Sequence, residues 1–369
     1  MLALCAAHVK EEVIVVKQNA GIDVSKDTFD VAFSYLTADF KTVVVSTRKF
    51  SSTAKGFQQL QDWVKGKQQH ESAVHFTMEA TGVYYEGLAY FLHEKGHLVH
   101  VCCAKCKHVV LPNKAHRYAQ SLGLKSKTDK IDSRTLAQML ALCAAHVGLE
   151  RELRLWLPVS PSLLALKQLT RERDALVRCK TDVANQLHAY RHQAKPNKAT
   201  IVRSKKTISF LEGQITQIDK DIKTFACTVP STRVNKDKEL KTKMDFLLSI
   251  PGIGLVSATT IVAETNGFAT FESIKQLTSY AGLDVKISES GTWKGKSKIS
   301  KQGNSHIRKV LYMPALSKIV HDKKTKLFYE RLKEKKGVGM IAVVAIMRKL
   351  LGLMYTLWKK EEIYKDETQ

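Results

Sequence analysis

Three strand-like segments precede any helical segment in this chain, and that order restricts the fold more than any other feature. Residues 20–25, 28–33 and 42–46 are short strand-like runs separated by polar turns. Helical and strand-like segments then alternate, at 55–64, 73–78, 84–94 and 97–102, and a helix-rich stretch continues to residue 142. This succession predicts an α/β domain with a mixed sheet.

A seven-residue recurrence marks the middle of the chain. Apolar residues recur at three- and four-residue steps over residues 208–225 and every seven residues over 169–190, with Pro196 between the runs. The pattern predicts a long antiparallel helical hairpin with a coiled-coil seam at 162–226. Because two helices leave part of their apolar stripe uncovered, we expect the hairpin to mediate dimerisation. Internal packing is the alternative.

These patterns divide the chain into four parts. The nine residues 1–9 recur identically at 139–147, which calls the origin of the N-terminus into question, so residues 1–12 are set aside as a doubtful extension. The remaining three parts are an α/β domain at 13–160, the coiled-coil hairpin at 161–230, and a mostly helical C-terminal domain at 231–369.

Charge identifies the expected partner. The chain carries 59 Lys and Arg against 35 Asp and Glu, a net charge of +24. Such an excess repels itself unless an anion is near, so we expect nucleic acid, bound in a salt-dependent manner. A membrane surface is the alternative, but Arg348 and Lys349 interrupt the longest apolar run (338–358), which predicts a buried helix. Seven cysteines without framework spacing favour a reducing cytoplasm.

Four carboxylates occupy positions that suit a metal ion. Asp23 lies on the opening strand among apolar residues, where an unpaired carboxylate is costly, and Glu79 ends another predicted strand. Asp129 and Asp132 fall three apart in the first turn of a predicted helix capped by Thr128, so they project to one side. Carboxylate oxygens suit Mg²⁺ (or Mn²⁺), and two such ions can flank a phosphate. Electrostatic stabilisation of a helix N-terminus is the alternative for the two aspartates.

Two further segments predict contacts with DNA. Ser249-Ile-Pro-Gly-Ile-Gly joins two predicted helices and resembles a helix-hairpin-helix, in which Gly252 and Gly254 permit a tight turn and helix N–H groups meet a phosphate. An ordinary helical hairpin is the alternative.

Residues 286–309 contain seven Lys or Arg and one acid. The predicted DNA contacts there are Lys294, Lys296, Lys298, Lys301 and Arg308. A serine in this basic loop could be a nucleophile if a base or metal activates it; a solvated basic loop is the alternative.

Together these segments resemble the insertion-sequence transposases that join a RuvC-like DEDD domain to a C-terminal serine domain. That family includes Piv-type DNA invertases and bridge-RNA-guided recombinases. The matching stretches are collinear and cover about residues 20–357. They are Gly21-Ile-Asp-Val-Ser-Lys, Glu79-Ala-Thr-Gly, Lys127-Thr-Asp-Lys-Ile-Asp, Ser249-Ile-Pro-Gly-Ile-Gly, Tyr280-Ala-Gly-Leu, Glu289-Ser-Gly, Ile299-Ser-Lys-Gln-Gly and Arg308-Lys-Val-Leu-Tyr-Met-Pro-Ala.

The resemblance implies an RNase H/RuvC-like first domain whose metal tetrad is Asp23, Glu79, Asp129 and Asp132. It implies that Ser290 attacks DNA and forms a 5′-phosphoserine link, which allows religation without ATP. The loop after Ser290 is slightly shorter than the family form, which leaves Ser288, Ser297 and Ser300 as lesser candidates. A dimer or tetramer with composite sites is also implied. Some relatives use a structured guide RNA.

Two other functions remain open from the sequence. A RuvC-like structure-specific endonuclease would use water and leave free 5′-phosphate ends without a protein–DNA adduct. A non-enzymatic scaffold would bridge DNA or RNA, and loss of Asp23 or Asp129 would then leave its function intact.

Overall fold

The computed structural model describes nine stretches of the chain, which form two compact units divided between Pro158 and Val159. The described stretches are residues 15–39, 41–69, 73–79, 82–102, 155–227, 236–286, 289–290, 293–295 and 298–365. Several predicted features lie outside them: Asp129, Asp132, Ser288, Lys296, Ser297, the repeated segments 1–9 and 139–147, and the helix-rich stretch to residue 142.

The first unit is built on a five-stranded mixed sheet of order β3-β2-β1-β4-β5. The strands are β1 (Val15–Val24), β2 (Thr28–Thr37), β3 (Thr42–Ser51), β4 (Val74–Glu79) and β5 (Leu98–Cys102). The first three form an antiparallel meander, whereas β4 runs parallel to both β1 and β5. The predicted mixed sheet with three leading strands is therefore confirmed. The leading strands are longer than predicted because backbone pairing with a neighbour extends past the residues with a clear strand-like pattern.

One face of this sheet forms a hydrophobic core. Helices α1 (Ala54–Lys65) and α2 (Glu86–Glu94) contribute buried leucines to the same cluster as the apolar strand residues Ile22, Phe33 and Met78. Thr53 sets the start of α1, since its hydroxyl accepts a hydrogen bond from the Gly56 N–H at 3.2 Å. Because strand side chains alternate between faces, the intervening residues point to the opposite side of the sheet.

The second unit begins with a helical hairpin of α3 (Pro161–Arg191) and α4 (Lys198–Cys227), close to the predicted 162–226. Ser160 caps α3, and Pro161 occupies its first turn, where a missing N–H costs nothing. Arg173 pairs with Asp219 and Lys180 with Glu212, so the residue number rises along α3 as it falls along α4, and the two helices run antiparallel. The coiled-coil supercoil and the dimerisation role remain predictions.

The described part of the second unit contains six further helices. They are α5 (Lys236–Leu248), α6 (Leu255–Glu264), α7 (Ile274–Tyr280), α8 (Ser305–His321), α9 (Lys323–Lys336) and α10 (Gly339–Lys360). Helix α10 is long and apolar enough to cross a membrane by length and composition, but half of its most apolar stretch is buried. Its residues Ile346, Leu350 and Met354 belong to the core of this unit, as expected for a buried helix.

A small β-hairpin separates α7 from α8. Strands β6 (Val285–Lys286) and β9 (Lys298–Ile299) pair at its base, and β7 (Glu289–Ser290) pairs with β8 (Trp293–Lys294) nearer the turn. The sequence predicted only a basic loop here. The strands were missed because lysines and serines obscure the alternation, whereas backbone pairing does not depend on it.

Candidate active site

Asp23 is the last residue but one of β1, and Glu79 is the last residue of the neighbouring parallel strand β4. Strands β1 and β4 pair with Ile22 opposite Met78, so the next residue on each strand is one of the two carboxylates. Ile22 and Met78 are fully buried in the core, whereas Asp23 and Glu79 are partly exposed. Because side chains alternate along a strand, both carboxylates project from the face opposite the core. The fold therefore brings two of the four predicted metal ligands together.

The row of side chains that contains Asp23 continues across the sheet. Asp23 lies opposite Asp30 of β2, and Asp30 lies opposite Lys49 of β3. The Lys49 Nζ is 3.3 Å from a carboxylate oxygen of Asp30. Directly opposed like charges destabilise a strand pair, so Lys49 offsets the repulsion between the two aspartates.

Asp30 was not among the residues predicted from the sequence, although a signal for it was present. Asp23 and Asp30 are equally far from the turn at residues 25–28, and equal spacing from a tight hairpin turn places two residues opposite each other. Counting outward from that turn would have identified the pair.

The face that carries Asp23 also contains buried polar groups. Asn19 lies opposite Ser34, and both are fully buried; Thr77, two residues before Glu79, is 1% exposed. Their side-chain polar atoms have no hydrogen-bond partner within the described part of the protein. Each such group costs about 1–3 kcal/mol, so a polar lining at this depth is unusual in a sheet whose other face is apolar. The sheet therefore has one apolar face, which forms the core, and one polar face, which carries Asp23 and Glu79.

The chemistry of these carboxylates fits a divalent cation. Asp23 and Glu79 offer hard oxygen ligands of the kind that Mg²⁺ or Mn²⁺ binds. Within the described residues, no group of three or more His, Cys, Asp or Glu side chains is placed to hold a metal ion. The other two predicted ligands, Asp129 and Asp132, lie outside those residues. The tetrad therefore remains a prediction of which the structure describes two members.

Ser290 is the second residue of the two-residue strand β7. Its backbone pairs with Trp293, and Glu289 pairs with Lys294. Ser300, a lesser nucleophile candidate, lies beyond the base strand β9. Its hydroxyl donates to the Asp284 carboxylate, and its N–H donates to the Asp284 carbonyl at 2.8 Å. These bonds give Ser300 a part in closing the base of the hairpin.

The predicted DNA-contacting residues fall into three environments. Lys298 and Lys301 are exposed beside the hairpin base. Arg308 has an internal partner, since its Nη1 donates to the Ala281 carbonyl at 2.8 Å. Gly252 adopts a φ of 88°, and Gly254 is the N-cap of α6, where glycine offers no side chain to the first N–H groups of the helix. The structure describes the backbone of Lys294.

Glu264, a buried carboxylate near the base of the β-hairpin that carries Ser290, was also not predicted from the sequence. Glu264, the last residue of α6, has a fully buried side chain that accepts hydrogen bonds from Arg171 and Asn304. Burial alone would raise the pKa of Glu264, but these hydrogen bonds and the charge of Arg171 outweigh it and hold the pKa below its usual value. The sequence signal was a single acid in the otherwise uncharged helix α6.

Two family models match the chain. A model described as a DEDD transposase of the IS110 type matches residues 20–196, which include all four predicted metal ligands. A model described as the transposase IS116/IS110/IS902 family matches residues 244–330, which include Ser290.

Individual relatives agree with these models. The pilin gene-inverting protein of Moraxella bovis is 29% identical over 92% of this chain and 95% of its own length. The transposase for insertion sequence element IS1111A of Coxiella burnetii is 30% identical over 32% of this chain and 33% of its own. Among solved structures, Thermus thermophilus RuvC covers 35% of this chain and 95% of its own at 12% identity, with a TM-score of 0.25. That score adds nothing to what the sheet topology already establishes.

Fold, site and comparisons together define an enzyme that transposes or recombines DNA. The chain belongs to the IS110/IS116 family of insertion-sequence transposases and recombinases, which confirms the resemblance found in the sequence.

Proposed function

We propose that this protein cuts and rejoins DNA by metal-assisted transesterification, with Ser290 as the attacking group. The observation that carries the proposal is the placement of Asp23 and Glu79 on adjacent parallel strands, on the polar face of the sheet. Such a pair suits a cation that meets a phosphate. The family models cover both this pair and the β-hairpin of β6 to β9 that carries Ser290, which we call the serine hairpin.

In this proposal the first domain has an RNase H/RuvC-like fold, which its sheet order supports, and Asp23, Glu79, Asp129 and Asp132 hold Mg²⁺ or Mn²⁺. The bound metal would supply charge stabilisation at the phosphate. The four carboxylates orient the scissile phosphate relative to the serine. The three functional modules are those predicted at 13–160, 161–230 and 231–369.

The proposed bond changes balance without an external cofactor. The Ser290 Oγ forms a bond to phosphorus as the bond from phosphorus to the 3′ oxygen breaks. The serine loses its proton, the departing 3′ oxygen gains one, and a 5′-phosphoserine link results. Because one phosphate ester replaces another, the reverse attack by a 3′ hydroxyl rejoins DNA without ATP.

DNA is the proposed substrate, bound through its phosphates. The net charge of +24 favours this. So do the exposed Lys298 and Lys301, together with the Gly252–Gly254 turn before α6. We assign Lys294, Lys296 and Arg308 to the same surface.

We further propose that the enzyme acts as a dimer or tetramer in the bacterial or archaeal cytoplasm, with the two domains of a composite site coming from different protomers. The helical hairpin supports self-association, since Val202 and Phe210 on α4 are 51% and 65% exposed. A structured guide RNA is compatible with the large positive charge.

A covalent-adduct assay tests this proposal. Wild-type protein, Ser290→Ala, Ser300→Ala and Asp23→Asn are incubated with nicked DNA that carries the element end, and denaturing gels detect protein-linked DNA. We expect adduct from wild type and Ser300→Ala, and none from Ser290→Ala. Adduct from Ser290→Ala but not Ser300→Ala would replace the nucleophile. Free 5′-phosphate ends without any adduct would instead establish a water-using nuclease.

A further inference from the structure

Glu264 lies at the centre of a buried network in the second unit. Its carboxylate accepts hydrogen bonds from the Arg171 Nε at 2.7 Å and Nη2 at 3.0 Å, and from the Asn304 Nδ2 at 2.6 Å. Its backbone carbonyl accepts a bond from the Tyr280 hydroxyl at 2.9 Å. A buried carboxylate with several charge-assisted bonds is held in one geometry, since losing a partner leaves an uncompensated charge.

Asn304 links this carboxylate to the start of α8. While its Nδ2 donates to Glu264, its Oδ1 accepts from the His306 N–H at 2.9 Å and the Ile307 N–H at 3.4 Å. Asn304 is therefore the N-cap of α8, and the residue is 5% exposed. Glu264 orients the Asn304 side chain, and Asn304 in turn sets where α8 begins.

The β-hairpin that carries Ser290 leaves and re-enters the fold at this network. Tyr280 is the last residue of α7 before the hairpin, and its carbonyl accepts the Asn304 N–H at 2.7 Å just after the hairpin. At Gly303 an added Cβ would lie 2.3 Å from that same carbonyl, so the two chain ends are in close contact. Both ends thus bond to each other and to Glu264.

We propose that Glu264 is a positioning residue for Ser290, acting through Tyr280 and Asn304 to hold the base of the serine hairpin. This inference rests on the proposed role of Ser290. Glu264 is not a catalytic residue, because its buried carboxylate is occupied by protein partners. The partner Arg171 lies on α3, so the same carboxylate ties the helical hairpin to the serine hairpin.

The test separates positioning from folding and from DNA binding. Glu264→Gln keeps the side-chain shape but removes the charge that Arg171 contacts. We expect adduct formation at saturating DNA to slow by about tenfold or more, because small displacements of a reacting group have large effects on rate. DNA affinity should stay within about threefold, since the phosphate-contacting lysines are unchanged. Hydrogen exchange should rise at residues 281–303.

A matched control is available on the same helix. Arg173 on α3 makes a second two-pronged pair, with Nε 2.5 Å and Nη2 3.3 Å from the Asp219 carboxylate on α4. Within the described residues these bonds join α3 to α4 and do not involve the serine hairpin. Asp219→Asn should leave both the adduct rate and the exchange at 281–303 unchanged. Equal slowing by both variants would overturn the inference, as would an unchanged rate in Glu264→Gln.

A milder variant decides the question if Glu264→Gln does not fold. Tyr280→Phe removes the hydroxyl that donates to the Glu264 backbone carbonyl and that lies 3.5 Å from the Asn304 Nδ2. It should slow adduct formation by about threefold without a change in DNA affinity. An unchanged rate would refute the positioning role. Adduct formation by Ser290→Ala would refute the proposed function itself. If Ser290→Ala forms no adduct but Glu264→Gln and Tyr280→Phe form it at the wild-type rate, only this inference is refuted.

Discussion

Asp23 lies directly opposite Asp30 across the antiparallel β1–β2 pair, and Lys49 holds the outer carboxylate at 3.3 Å. The pair lies in register with the strand end that carries Glu79. The charge on this part of the sheet is therefore set by more residues than the predicted metal ligands.

Changes at Asp30 and Lys49 should alter divalent-cation affinity in opposite directions. Asp30→Asn removes a negative charge near Asp23 and should weaken Mn²⁺ binding about two- to fivefold, whereas Lys49→Gln removes a positive charge and should tighten it by a similar factor. Calorimetric titration of Mn²⁺ measures both. The exposed pair Asp39 and Lys41 serves as the control, and its neutral variants should leave affinity unchanged. Shifts of the same sign in Asp30→Asn and Lys49→Gln would contradict the electrostatic account.

Gly303 and Gly213 should respond oppositely to alanine. A Cβ at Gly303 would meet the Tyr280 carbonyl at 2.3 Å and the Gly282 nitrogen at 2.6 Å, so Gly303→Ala should lower the free energy of unfolding by about 1–3 kcal/mol. Gly213 lies exposed within α4 with nothing near its added Cβ, and Gly213→Ala should raise that free energy by about 0.5–1 kcal/mol. Urea denaturation compares the two, and equal effects would contradict the close approach at Gly303.

Acid should weaken the second unit partly through Glu264. The folded-state pKa of Glu264 lies below its usual 4.5. Its stabilising contribution is therefore fully present above the unfolded-state pKa and is lost as pH falls through the folded-state value. Unfolding free energies measured at a series of pH values from neutral downward should decline less steeply below pH 4.5 in Glu264→Gln than in wild type. Parallel curves would show that this carboxylate keeps its ordinary pKa.

Salt dependence should report the basic surface beside the hairpin. Lys298 is exposed there, and Lys298→Gln should weaken DNA binding uniformly across sequences and reduce the slope of log affinity against log salt by about one. Lys180, which pairs with Glu212 at 3.3 Å on the helical hairpin, provides the comparison, and Lys180→Gln should leave the slope unchanged. Fluorescence anisotropy over a salt series measures both. A slope unaltered by Lys298→Gln would remove this lysine from the DNA surface.

The sequence by itself determined the local elements and the family. Strand-like segments and the seven-residue recurrence predicted the mixed sheet and the helical hairpin, because hydrophobic periodicity is a local property of the chain. The apolar strand residues around Asp23 and Glu79 predicted that both carboxylates have a functional role, since a carboxylate in such surroundings is costly unless it is paired or coordinated.

Only the tertiary structure decided which distant residues meet. The opposition of Asp23 and Asp30 can be counted from the hairpin turn that joins their strands, but the contact of Arg171, Glu264 and Asn304 joins residues far apart in sequence. No local pattern encodes such contacts, because a hydrogen bond between separate elements depends on how those elements pack. The buried polar face around Asn19 became visible for the same reason: burial belongs to the folded sheet, not to any one strand.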